Sequence, residues 1–146
     1  MPRLKKPDAC HGCPFAGDMQ GFVPDEYVEG AEVCVVGQGP GDDEEEGRVI
    51  VGWQGRFPIY EPHPQAPFLG RTGHVMERRY FPLAGLERGK VSLANAIRCR
   101  VGHTNKLPPL DNRDFRRAVE QCQREYFRPP ASTKLLVAEG RSPSSP

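Results

Sequence analysis

Two groups of residues in this 146-residue chain have types and spacings suited to chemistry. The first is a set of thiols. Cys10 and Cys13 stand in a C-x-x-C-P run, and Cys99 and Cys122 follow far downstream. Four thiolates can hold structural zinc or an iron–sulfur cluster. Zinc ribbons use two close pairs, and only one close pair exists here. A cluster takes one thiolate per iron and tolerates widely spaced single ligands. The spacing favours a cluster over zinc and leaves unligated thiols as a third reading. Cys34 sits inside an apolar run and reads as a small core residue. An odd cysteine count without a secretory leader argues against a disulfide framework.

The second group is the loop Gly37-Gln38-Gly39-Pro40-Gly41, followed by the acidic run Asp42–Glu46. Its glycines let backbone approach a ligand, and Pro40 stiffens the turn. Asp42 stands where a dinucleotide-binding fingerprint needs its third glycine, and no G-K-S/T follows for a phosphate loop. A plain strand-to-helix turn is the simpler reading of these residues alone.

Both groups need elements to position them. Residues 32–36 form a short β-branched run that Gly37 stops, the pattern of a buried strand. Asp42–Glu46 suits one helical turn. Residues 48–66 alternate at first and then carry Trp53, Phe57, Tyr60 and three prolines, which predicts an inserted loop or hairpin. Its aromatic residues suit a small core of their own, or stacking on bases. Thr72 is the expected cap of a helix reaching Leu83, with Pro82 ending or kinking it. Residues 90–94 predict a second strand that reaches Asn95. A basic loop over 98–113 leads to a helix capped by Asp111, which runs to Phe127 before Pro129 and Pro130. Residues 134–138 predict a third strand. This order is that of an open parallel α/β sheet, whose ligands sit outside the carboxyl ends of the strands. One domain is expected over residues 1–140, with 49–66 inserted and 141–146 frayed.

Composition agrees with a loop-rich domain. Sixteen Gly and sixteen Pro exclude a coiled coil, and without a Gly-X-Y period they exclude collagen. No apolar run reaches the length of a membrane helix, so the expected compartment is the cytoplasm. The net charge of +1 hides an asymmetry. Residues 1–70 hold five Lys/Arg against twelve Asp/Glu, and residues 71–128 hold thirteen against six. The basic half suits a polyanion, or simply pairs with the acidic half.

Read together, five stretches carry a resemblance: Cys10–Pro14, Gly30–Gly41, Pro67–Gly73, Asn95–Arg100 and Cys122. In this order the chain resembles the family-four, iron–sulfur uracil-DNA glycosylases and the related phage DNA polymerase-associated domain. The resemblance implies a [4Fe–4S] cluster on Cys10, Cys13, Cys99 and Cys122. It implies that Phe68 stacks on a flipped uracil and that Asn95 reads its amide edge. Gly37, Gly39 and Gly41 would bring backbone close to the base, and Arg98, Arg100, Lys106 and Arg113 would meet DNA phosphates. The implied activity is hydrolysis of the N-glycosidic bond in base-excision repair, by a monomer acting on single- or double-stranded DNA.

Three departures qualify that expectation. Gln38 stands where the family carries an acid, and an amide can orient water without taking its proton. Asp42 would replace the acid if the loop brings it in. The family's fourth strand and histidine loop find no match after Gly140, and residues 49–66 are an insertion. The alternatives are a DNA-binding module of the same fold, working within a replication assembly without cleaving, and a small structural metal protein.

Overall fold

The structure is a computed structural model that describes residues 4–16, 21–100, 107–109 and 111–139. Strand β1 (Val33–Gly37) leads through the glycine loop to the short helix α1 (Asp42–Glu46). A hairpin follows, β2 (Arg48–Gln54) and β3 (Phe57–Pro62). Helix α2 (Arg71–Val75) continues through a π-turn, Met76–Tyr80, into α3 (Phe81–Leu83). Strand β4 (Ser92–Asn95), helix α4 (Arg113–Tyr126) and strand β5 (Leu135–Ala138) complete the described chain.

The main sheet has the order β4-β1-β5, and both pairings are parallel. The chain therefore has the open α/β sheet that its element order predicts. β1 is central, and Cys34 and Val35 are buried as its β-branched run requires. The turn-rich stretch before β1 is no free loop. Val23 donates to the Arg98 carbonyl, and Glu26 and Leu93 exchange backbone hydrogen bonds, all at 2.8 Å. These residues line the outer edge of β4 and satisfy donors and acceptors an open edge would expose.

Two apolar clusters hold the layers. Val35, Val91 and Leu93 pack with Met76 and Phe81 of the α2–α3 segment. Ile97, Cys99 and α4 residues Phe115, Ala118 and Cys122 form the second. Burying each large apolar side chain stabilises the fold by roughly 1.5–3 kcal/mol. β5 differs: Leu135, Leu136 and Val137 remain 40–55% exposed on the sheet's edge.

Two predicted caps fall elsewhere. Gly70, not Thr72, precedes the α2–α3 helix, and Asn112, not Asp111, caps α4 by accepting from the Phe115 amide at 2.9 Å. The π-turn lies just ahead of Pro82, whose ring offers no N–H and crowds the carbonyl four residues back. The 49–66 insertion is an antiparallel hairpin rather than a small core. Trp53 and Tyr60 are 37% exposed and Phe57 is 66% exposed. Residues 141–146 lie outside the described residues.

Candidate active site

A cleft of about 630 Å³ opens at the carboxyl ends of β1 and β4. The glycine loop (Gly37, Gln38, Gly39 and Gly41) forms one wall. Phe68, Gly70, Arg71, Thr72 and Gly73 form a second, and Asn95 and Glu139 stand at the strand ends. Asp42, Asp43, Glu44, Arg48 and Tyr60 close it. The volume suits a small heterocyclic ligand.

Gly37 lies under the two side chains expected to hold a base. A Cβ at that position would stand 2.7 Å from Cζ of Phe68 and 2.8 Å from Oδ1 of Asn95. Only glycine lets the aromatic ring and the amide converge here. Register places them there: Gly37 pairs with Asn95 across β1 and β4. An aromatic face beside a buried amide offers stacking together with one donor and one acceptor.

Phe68 is held in an uncommon conformation. Its φ of +58° is left-handed, a region that costs a bulky residue about 1–3 kcal/mol. Three contacts maintain it. Arg88 donates to the carbonyls of Pro67 and Phe68 at 2.6 and 2.8 Å. Glu44 accepts from the amides of Leu69 and Gly70 at 3.0 and 2.7 Å. Gly73 packs so close that a Cβ there would lie 1.8 Å from the Phe68 carbonyl oxygen. Glu44 also accepts from the Gly41 amide at 2.7 Å, so one carboxylate joins the glycine loop to the Phe68 turn. Burial pushes the Glu44 carboxyl above its ordinary range, against the pull of those amides. Sequence reading missed Glu44 and Arg88; the acidic run and the spacing from Phe68 were their only signals.

Acids in the cleft are unequally engaged. Asp42 pairs with Arg48 at 2.9 Å and with Arg100 at 3.2 Å, and Asp43 pairs with Arg48 at 2.7 Å. Gln38 is exposed beside them. Glu139, also missed by sequence reading, follows β5 into the cleft with no cation paired to it among the described residues. Burial raises its pKa.

The basic residues separate. Arg98 was expected at DNA phosphates, and the structure corrects this. Its side chain is 1% exposed and pairs with Asp25 at 2.6 Å. Burial without a partner would be costly, so the guanidinium is satisfied inside the protein. Arg100 is half-buried against Asp42 and Glu45. Arg113 is exposed at the start of α4, and Lys106 lies outside the described residues.

Residues 24–143 match the Uracil DNA glycosylase superfamily. The chain belongs to that superfamily. Over 106 residues it is 28% identical to a Type-4 uracil-DNA glycosylase of Sulfurisphaera tokodaii, a match covering 73% of this chain and 37% of the relative. The chain thus spans well under half the length of the curated relative it matches.

This superfamily member also gathers its four expected thiols. Cys10, Cys13, Cys99 and Cys122 line one small apolar cavity between the N-terminal loop and α4. All are free thiols. Burial pushes Cys99 up to about 12; Lys6 opposes the shift, and the neighbouring Cys122, Cys13 and Cys10 add to it. Tyr126 Oη and Cys10 Sγ lie 3.0 Å apart, and Arg98 donates to Cys122 Sγ at 3.2 Å. Among the described residues no three Cys, His, Asp or Glu side chains converge on a single point as one ion requires. In residue type, four thiols lining one cavity match the one-thiolate-per-iron donor set of an iron–sulfur cluster. No helix among the described residues is long and apolar enough to cross a membrane.

Proposed function

We propose that this chain is a uracil-DNA glycosylase-like protein that takes a flipped uracil into the cleft and hydrolyses its N-glycosidic bond. The observation that carries this reading is the convergence of Phe68 and Asn95 over Gly37. The Phe68 ring stacks on the base, and the Asn95 amide donates to one uracil carbonyl or accepts from its ring N–H. Backbone N–H groups of the glycine loop stabilise negative charge as it develops on the leaving base. Gln38 orients a water, and Glu139 takes its proton as the water attacks the sugar carbon. Asp42 and Asp43 hold Arg48 at the cleft wall, where the strand's phosphates pass.

Cys10, Cys13, Cys99 and Cys122 would hold a [4Fe–4S] cluster, as the resemblance implies. Bound there, the cluster supplies a cross-link between the N-terminal loop, the segment after β4, and α4. Cys122 is tied to the Asn95 strand end through Arg98 and Asp25.

One observation favours a second reading, a module that binds uracil-bearing DNA without cleaving it. The residue after Gly37 is a neutral amide, and Asp42 and Asp43 are held by Arg48. The test is mass-spectrometric detection of free uracil after incubation with a uracil-bearing oligonucleotide. Released uracil supports the enzyme. Tight, uracil-selective binding without release supports the module, and neither result removes both.

A further inference from the structure

The β2–β3 hairpin projects from the cleft wall and presents aromatic rings to solvent, each with an arginine beside it. Arg48 lies 4.6 Å from the centre of the Tyr60 ring, Arg71 lies 4.9 Å from Trp53, and Arg56 lies 5.8 Å from Phe57. Tyr60, Arg48 and Arg71 also line the cleft. The surface is therefore continuous with the base site. Register puts Tyr60 and Trp53 on one face, since Ile50 pairs with Tyr60 and Trp53 with Pro58 around a bulge. Phe57 stands at the tip, about 10 Å from Tyr60 along the strand, and alternation turns it to the opposite face with Ile59.

Trp53 meets His74 edge-on at 5.9 Å and the Tyr60 hydroxyl reaches Asp43, yet both residues stay 37% exposed. Phe57 is 66% exposed, and Ile59 on the same strand is 46% exposed. A hairpin that served only to support the cleft would tuck such groups inward. Its base is already anchored by buried Ile50 and by the bond from the His63 amide to the Gly47 carbonyl at 2.9 Å. Interleaved aromatic and cationic groups suit one partner chemistry above others. Unpaired bases offer flat π-faces at short intervals along a chain of phosphates. A protein partner would match the apolar groups and leave the arginines unused.

We propose that the hairpin is a single-stranded DNA contact surface, on which Trp53 stacks a base next to the nucleotide in the cleft and Phe57 stacks one further along as the strand passes over the tip, while Arg56 and Arg71 meet phosphates. This rests on the DNA reading above, and it adds that the strand is unpaired beside the site. It predicts a preference for single-stranded over duplex substrate.

Trp53 is the chain's single tryptophan, so its fluorescence reports on the surface directly. The full chain is titrated with a thymine-only single-stranded oligonucleotide, which contains no uracil, and with its duplex. The expected result is saturable quenching by the single strand, weakened by salt. By anisotropy of a labelled strand, Trp53→Ala and Phe57→Ala each bind about fivefold or more weakly, the loss of one base stack. Trp53→Phe keeps a ring and retains most of the affinity. Circular dichroism checks that the variants are folded. Unquenched Trp53 at saturating oligonucleotide overturns the proposal, as does unchanged affinity in both alanine variants. Sedimentation showing that a second copy covers the hairpin overturns it too. Quenching without uracil release would leave this surface standing and sink the glycosylase reading, and release without quenching would do the reverse.

Discussion

Asp25 and Arg98 form a buried ion pair, 2.6 Å long, that joins the two sites of the protein. Asp25 accepts from the Asn95 backbone N–H at 3.2 Å, and Arg98 donates to the Cys122 carbonyl and sulfur at 3.2 Å. The Asn95 strand end and the thiol cavity are thus connected through two side chains. Asp25→Ala leaves the Arg98 charge buried without its partner. The expected cost is about 3–5 kcal/mol of folding stability, read by chemical denaturation. A loss below 1 kcal/mol would show that the pair is not the connection described here.

Gly37→Ala tests the convergence over the cleft floor. The added methyl would fall within 2.8 Å of both Phe68 and Asn95, and neither can withdraw freely. Asn95 is buried, and the Phe68 backbone is held by Arg88 and Glu44. The expected stability cost is about 1–3 kcal/mol, with uracil binding lost while the sheet remains folded. Calorimetry with free uracil checks this; unaltered binding would place the base elsewhere.

Cys34 gives a pH-dependent prediction outside the proposed ligands. Burial, foremost, and then Asp25 raise its thiol to about 11, with Arg98 opposing. An acid raised in the folded state contributes fully below its unfolded pKa and loses that contribution as pH climbs through the folded value. Stability should therefore fall between pH 9 and 11, by roughly 2–3 kcal/mol from this group. Cys34→Ala should flatten that part of the denaturation profile while keeping iron and colour. Cys99→Ala should lose both.

In the proposed reaction Glu139, which lines the cleft, takes the water's proton. Burial holds its pKa above the ordinary range, so its base form grows, and excision rises, as pH climbs through that raised value. Glu139→Gln should lower kcat by about 10²–10⁴-fold with KM little changed, and should flatten the profile. An unchanged pH–rate profile in the variant would assign the proton elsewhere.

Much of the fold was legible because the strands are short, mostly apolar runs, with β1 ended by Gly37 and β4 by Asn95. Parallel order followed from their alternation with helices. The cleft residues Phe68 and Asn95 came from motif order, and the structure brings them together. Arg98 was misread because a charged residue in a basic stretch looks solvated; its partner Asp25 lies 73 positions away. Glu44 and Arg88 left only faint signals, since they act on backbone carbonyls and amides that no sequence pattern marks. The hairpin was visible as an insertion, but which side its rings face depends on the bulge between Ile50 and Gly52.

The most direct measurement is single-turnover excision on a single-stranded oligonucleotide carrying one uracil, comparing the iron-loaded chain with Phe68→Ala and Asn95→Ala. The account predicts uracil release by the parent chain, with each variant slower by about 10-fold or more as stacking or a hydrogen bond is lost. Release at the parent rate by both variants would contradict it.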